Sequence, residues 1–124
     1  MIALDSSALI AYLQGDDTPA AAAAGMVLDQ GQACLPPVVL TELLSDPKLS
    51  KDVASLLEAL PLLEPTEGYW QRAGTLRSRV LSAGHRARLA DTLIAQSCID
   101  HRVSLVSSDR DFRHFVKRGL RLLP

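Results

Sequence analysis

Four acidic residues fall at positions where a carboxylate is unexpected in a folded domain. Each follows an apolar segment or lies on the apolar side of a helical pattern; they are Asp5, Glu42, Asp91 and Asp109. Acidic side chains are rarely buried unless paired, and several brought together would repel one another and take up protons. Hard divalent cations, which prefer oxygen ligands, remove that conflict. The pattern therefore predicts a site for Mg²⁺, for which Mn²⁺ could substitute.

Each acid taken alone also has an ordinary explanation. Asp5 and Asp109 could cap helices or turns by accepting bonds from free backbone N–H groups, and Asp91 could favour the positive end of a helix dipole. Helical spacing places Glu42 on the same face as the apolar residues three and four positions earlier. We therefore expect Glu42 to point inward, unless a bend carries it to solvent. The placement that all four acids share favours a site.

Hydrophobic periodicity predicts strands that alternate with helices. The predicted strands are 2–5, 32–35, 61–64, 103–107 and a last one near 120–123; the predicted helices are 7–14, 18–30, 37–45, 48–60, 67–83, 88–101 and 110–117. Short apolar strands separated by helices are typical of a parallel sheet covered on both faces. Ligands bind such sheets beyond the carboxyl ends of the strands. Asp5 and Asp109 lie there by connectivity, and nearby helices can bring Glu42 and Asp91 to the same edge.

Composition predicts a single domain over residues 1–124. The chain is 48% apolar with 22% charged residues, which is ordinary for a globular domain. The charge-free, alanine-rich stretch from Thr18 to Leu28 is far too short to cross a bilayer, and no basic segment precedes an apolar one at the N-terminus. We therefore expect a cytoplasmic protein with no membrane partner. Cys34 and Cys98 lie in apolar segments and are predicted to be buried, reduced thiols.

The net charge of −1 conceals an uneven distribution. Residues 1–69 hold two basic and ten acidic residues, whereas residues 70–124 hold eleven basic and four acidic residues. A polyanion would be drawn to the basic half. The same arginines could equally face water on amphipathic helices or pair with acids of the first half. The distribution supports a nucleic-acid ligand without deciding for one.

Four segments, in order along the chain, resemble the PIN domain family, and specifically the VapC-type toxin ribonucleases of type II toxin-antitoxin systems. They are Leu4–Ile10, Pro37–Leu43, Leu89–Ala95 and Val106–Phe112, and together they extend over essentially the whole chain. The resemblance implies a three-layer α/β/α sandwich with a central parallel sheet of four to five short strands. It also implies a Mg²⁺-dependent endoribonuclease that works as a homodimer and is held inactive by a cognate VapB-like antitoxin.

The resemblance assigns each of the family's acidic residues to a position in this chain. Asp5, Glu42, Asp91 and Asp109 match its four acids, with Asp5 and Asp91 as the expected direct metal ligands. Asp111 is an alternative for the fourth acid, because it lies in the same loop. We prefer Asp109 and expect Asp111 to cap the helix that follows.

Four further residues are candidates for supporting roles. Ser7, beside the first acid, could orient Asp5 or cap the helix, and Ser107 is a similar candidate at the end of the second clear strand. Arg86 and Arg110 could contact the RNA backbone, since arginine matches phosphate geometry.

The predicted reaction is hydrolysis of an RNA phosphodiester. One or two Mg²⁺ ions held by the acids would activate a water for in-line attack, which leaves a 5′-phosphate and a 3′-hydroxyl. One alternative is a catalytically silent PIN-like module that binds RNA or a protein. Another is a haloacid-dehalogenase-like phosphatase, which is disfavoured because Ser7, rather than a second aspartate, stands two residues beyond Asp5.

Overall fold

The computed structural model describes residues 1–123, which form a parallel sheet flanked by helices. The strands are β1 (Ile2–Leu4), β2 (Ala33–Cys34) and β3 (Ser104–Val106). The helices are α1 (Ser6–Leu13), α2 (Pro19–Asp29), α3 (Pro37–Leu44), α4 (Lys51–Glu58), α5 (Tyr69–Ser82) and α6 (Leu89–His101), followed by a 3₁₀ helix, Arg110–Arg118. All the predicted helices are therefore present, the last of them as a 3₁₀ helix, together with three of the five predicted strands, and several elements are shorter than expected.

The sheet has the order β2-β1-β3, and both pairings are parallel. Ile2 of β1 is opposite Ala33 on one side and Ser104 on the other. The predicted outer strands, 61–64 and 120–123, are reduced to single parallel bridges, Leu35 with Leu62 and Leu105 with Leu122. The described residues thus contain three strands, with one bridged segment at each edge, instead of the four to five strands expected.

Proline explains why the segment beside β2 stays short. Pro61 accepts a hydrogen bond from the Leu35 N–H at 2.9 Å, and Leu63 donates to the Leu35 carbonyl at 2.9 Å. Pro61 itself and Pro65 have no N–H to donate, so the ladder cannot extend past them in either direction.

Local sequence signals determine where several helices begin. Thr18 caps α2 with its side chain, with Pro19 as the first helical residue. Ser50 caps α4 in the same way, which is why this helix begins at Lys51 and not at residue 48 as predicted. Because Gly68 has a φ of 83°, it supplies the left-handed conformation that precedes α5.

The core is continuous through the sheet and the helices around it. Its largest fully buried side chains include Phe112 and Phe115 of the 3₁₀ helix, whose ring centroids are 6.2 Å apart. These two rings anchor the 3₁₀ helix to the body of the domain.

Cys34 and Cys98 are buried and form no disulfide, as the sequence predicted. Within residues 1–123 no helix is both long and apolar enough to span a membrane.

Candidate active site

Asp5 lies at the carboxyl end of β1 and is only 3% exposed. It is also the N-cap of α1, because its Oδ1 accepts a hydrogen bond from the Ala8 N–H at 2.9 Å. A cap needs only one carboxylate oxygen. The capping explanation is thus correct for Asp5 but leaves its second oxygen to other partners.

Two neighbouring serine hydroxyls, 3.3 Å apart, hold the Asp5 carboxylate. The Ser107 hydroxyl, just past β3, donates to Asp5 Oδ2 at 2.5 Å, and the Ser7 hydroxyl lies 2.8 and 3.0 Å from the two Asp5 oxygens. The backbone fixes both hydroxyls in turn: Ser108 N–H donates to Ser7 at 3.0 Å, and Asp109 N–H donates to Ser107 at 2.9 Å. The structure therefore places both predicted serines against Asp5; their part in catalysis stays a prediction.

Burial dominates the electrostatics of Asp5. It raises the pKa of the carboxyl above its ordinary value, while the hydrogen bonds from Ser107, Ala8 N–H and Ser7 lower it and the nearby charge of Asp109 raises it. Asp5 is thus a carboxylate whose charge costs free energy, although three donors reduce that cost.

Asp91 is the most perturbed acid of the set. It lies in the first turn of α6, and its Oδ2 atom is buried without a hydrogen-bond partner among the described residues. Its pKa is raised from 3.8 to about 6, first by burial and then by the charge of Asp109; Arg88 opposes this shift, and Asp5 and Glu42 add to it. All three other predicted acids therefore act on the Asp91 carboxyl.

Asp109, and not Asp111, caps the 3₁₀ helix. The Asp109 backbone is extended, with φ −88° and ψ 118°, and its Oδ1 accepts from the Asp111 N–H at 2.8 Å. The expectation that Asp111 caps this helix is wrong, because Asp111 already lies inside its first turn. Its Oδ2 is instead 3.9 Å from Nη1 of Arg86. An acid already next to an arginine is a weaker candidate for the fourth position than Asp109.

Glu42 does not point inward, so that expectation is wrong. The buried residues of α3 are Val39 and Leu43, whereas Glu42 is exposed and Val38 is half-buried. The inward face is therefore one residue out of phase with the predicted one. Oε1 of Glu42 accepts a hydrogen bond from the Ser6 hydroxyl at 2.9 Å, which ties it to the start of α1, directly after Asp5.

The two predicted arginines lie around the same edge but reach no buried carboxylate. Arg86 and Arg110 are exposed. Arg110 lines a shallow hollow of about 250 Å³ together with Ser107, Asp109 and Arg113.

Two neighbours of the acids were missed by sequence reasoning. Ser6 bonds Glu42, and Arg88 partly offsets the repulsion at Asp91. The signal for Arg88 was available, because it directly precedes α6 and lies three residues before Asp91. The Ser6 contact depends on the approach of α1 to α3, which no local pattern gives.

The chemistry of these donors fits a divalent cation. Within residues 1–123 no three Asp, Glu, His or Cys side chains are arranged as a formed metal site. The charges of Asp109, Asp5 and Glu42 nevertheless raise the pKa of Asp91, and Asp91 has a buried oxygen with no partner among the described residues. A hard cation neutralises a set of oxygen donors that repel one another. Asp5, Asp91, Asp109 and Glu42 are the residues that would hold it.

Comparisons with known proteins agree on the fold. The family model described as PIN domain matches residues 2–117. Among solved structures, the crystal structure of VapBC2 from Rickettsia felis bound to a DNA fragment from their promoter contains a similar chain. That chain is 20% identical to this one, with a TM-score of 0.75 and coverage of 99% of this chain and 98% of that one. No curated protein matches.

The structural likeness, at this identity, supports the fold alone. The family model extends over nearly the whole chain and includes all four acids. The predicted α/β architecture is thereby confirmed, and the chain belongs to the PIN domain family.

Proposed function

We propose that this protein is a Mg²⁺-dependent endoribonuclease of the VapC toxin type. The observation that carries the proposal is the Asp91 carboxyl, which has a buried, unpartnered oxygen and a pKa of about 6 beside three other acids. Strongly perturbed carboxyls in such clusters are candidates for functional groups. Membership of the PIN domain family supports a nuclease.

A bound divalent cation would neutralise the acids and supply a Lewis acid for hydrolysis of a phosphodiester. The chain's own residues would hold and orient it. Asp5, fixed by Ser7 and Ser107, offers a carboxylate of set direction. Such supporting bonds hold ligands in place in metal sites generally. Asp91 offers the oxygen that has no partner among the described residues. Glu42 is exposed and would exchange its bond from Ser6 for the cation.

RNA is the substrate that the charge distribution supports. Only two ion pairs occur within residues 1–123, Arg72 with Asp100 and Arg86 with Asp111. Most of the eleven basic residues of the second half therefore keep their charge available for a polyanion. The basic residues Arg110 and Arg113 lie beside Asp109, in the hollow that this acid lines.

An antitoxin and a second copy of the chain are the proposed partners. A hollow of about 430 Å³ between α1 and α3 is lined by Ile10, Leu13 and Leu43 and includes Glu42 of the acid set. Ile10 and Leu13 are 44% and 40% exposed. A VapB-like segment seated there would cover apolar surface and reach the site at once. Homodimerisation and a cytoplasmic location complete the proposal.

A cleavage assay tests it. Purified protein is incubated with end-labelled RNAs of mixed sequence in Mg²⁺, Mn²⁺ or EDTA, beside the variants Asp5→Asn and Asp17→Asn. Asp17 is exposed and lies past the far end of α1, so its variant makes the same charge change away from the site. We expect cleavage that requires a metal, is abolished in Asp5→Asn and persists in Asp17→Asn. Full activity of Asp5→Asn would refute the assignment, and binding without cleavage would favour the silent module.

A further inference from the structure

Three shallow hollows lie side by side in the C-terminal half and share lining residues. The first, beside Asp109, is lined in part by Arg113. Arg113 also lines the second hollow, of about 650 Å³. The second shares Lys117 and Arg118 with a third hollow, of about 610 Å³, which Arg79 of α5 also lines. We call Arg79, Arg113, Lys117 and Arg118 the basic track, because they connect the acid site to the face of α5.

The charges of the basic track are not neutralised by the protein. All four side chains are exposed, and none takes part in either ion pair found within residues 1–123. No acidic residue lines the second or the third hollow. The first hollow contains Asp109, so the negative charge lies only at the end nearest the acid site. This arrangement favours a polyanion over the whole length of the track.

A stacked pair of histidine rings lies in the middle of the track. The rings of His85 and His114 are stacked, with centroids 4.4 Å apart and an angle of 13° between their planes. Both line the second hollow, next to Arg113 and Lys117. Unpaired bases stack on histidine and other aromatic rings, whereas bases inside a duplex have no free face to offer. The pair therefore suits a single strand better than a double one.

The track has a length that corresponds to several nucleotides. Asp109 and Lys117 are eight residues apart in an element that is 3₁₀ from Arg110 to Arg118, so they are separated by about 16 Å along its axis at roughly 2 Å per residue. Successive nucleotides of a helically stacked strand advance by about 3.4 Å along the helix axis. About five nucleotides would therefore extend from the acid site to Lys117.

We infer that the basic track binds the phosphate backbone of single-stranded RNA on one side of the scissile bond, with a base resting on the His85–His114 pair. This inference rests on the proposed function, because it takes the acid cluster as the place of cleavage. It adds where the strand runs and which residues, outside the acid site, hold it.

The test is RNA binding without cleavage, measured in EDTA by fluorescence anisotropy. The probe is a labelled single-stranded RNA of about ten nucleotides, roughly twice the length of the track at the spacing of a stacked strand. The variant Lys117→Gln/Arg118→Gln is compared with Lys48→Gln/Lys51→Gln. Both doubles lower the net charge by two, but Lys48 and Lys51 lie in the acidic half of the chain. Any difference between them therefore reports position and not overall charge.

Each phosphate contact on a single strand contributes about 0.7 to the slope of log affinity against log salt. We therefore expect the slope of the track variant to be smaller by about 1.4, with affinity at 50 mM salt reduced roughly tenfold to a hundredfold. The lysine control should match the wild type. Lys117 and Arg118 are in the last turn of their helix, where positive charges also stabilise the helix end. Arg79→Gln, on α5, therefore serves as a second variant that leaves this helix end unchanged. It should lower the slope by about 0.7.

Equal losses in the two doubles, or no loss in the track variants, would overturn the inference. So would a loss of binding to poly-glutamate with RNA binding unchanged, since that would assign the track to an acidic protein partner. Failure of the proposed function is a separate result: the wild type would not cleave RNA in Mg²⁺, whatever its affinity in EDTA.

Discussion

The carboxyl of Asp91 should destabilise the metal-free protein at neutral pH. Its pKa is raised from 3.8 to about 6, so the folded state holds this proton more tightly than the unfolded state does. The contribution of Asp91 to the free energy of unfolding is therefore fully present below pH 3.8 and is lost as the pH rises through about 6. The variant Asp91→Asn, which carries no charge at any pH, should escape that loss.

The size of the effect follows from the pKa difference. A shift of about two units corresponds to about 3 kcal/mol. The side chain is only partly buried, and screening by solvent reduces the figure to roughly 1–2 kcal/mol. For a domain of this size that is a rise in Tm of about 4–8 °C. We expect Asp91→Asn in EDTA to show this rise at pH 7.5 and to lose it near pH 4, while losing cleavage in Mg²⁺.

The assay is thermal unfolding followed by circular dichroism at several pH values, with Asp17→Asn as the matched control. Asp17 is exposed and distant from the acids, so its variant should change Tm little at any pH. A second arm adds Mg²⁺, which should raise the Tm of the wild type more than that of Asp91→Asn. Equal stability of Asp91→Asn and the control at pH 7.5, or a gain that does not depend on pH, would refute the reasoning.

Three other substitutions test the supporting structure. Ser107→Ala removes the 2.5 Å bond to Asp5 and should slow RNA cleavage about 10–100-fold, with Ser107→Thr retaining activity; unchanged rates in Ser107→Ala would remove Ser107 from the site. Phe115→Ala, at a fully buried position, should lower the free energy of unfolding in urea by about 3–5 kcal/mol, against little change for the exposed Val116→Ala. Arg102 ends α6 with a φ of 55°, so Arg102→Gly should raise the free energy of unfolding by roughly 1 kcal/mol. The urea midpoint should rise with it, and a lower midpoint would contradict this.

The acids at the strand ends were predictable because connectivity alone places them. A short apolar segment followed by an aspartate puts Asp5 beyond β1 and Asp109 beyond β3, and parallel strands bring both to one edge. Asp91 followed from its place in the first turn of a helix that begins near the same edge.

The side on which Glu42 lies was not predictable from spacing alone. One residue changes the direction of a helical side chain by about 100°, and the phase of α3 depends on how Val39 and Leu43 pack against the core. A tertiary contact therefore decided what the local pattern left open.

The residue that caps the 3₁₀ helix was also not decided by the local pattern. Both Asp109 and Asp111 suit a cap, and only the extended backbone of Asp109 separates them.

The short edge segment at 61–64 could have been anticipated from the sequence, because Pro61 and Pro65 lack the donors that a longer ladder needs. Ion pairs lie beyond local sequence. The pairing of Arg72 with Asp100, at 2.7 Å, joins α5 to α6 across 28 positions. Which arginines stay available for a polyanion could therefore be read only from the fold.

The identity of the cleaved ends tests the central claim most directly. RNA is cut in water enriched in ¹⁸O, with Mg²⁺ present, and the product ends are analysed by mass spectrometry. Hydrolysis at the acid site predicts a 3′-hydroxyl and a 5′-phosphate that carries one ¹⁸O atom from solvent. A 2′,3′-cyclic phosphate, with no ¹⁸O incorporated, would mean that the 2′-hydroxyl of the RNA is the nucleophile, and that result would contradict the account of the acid site given above.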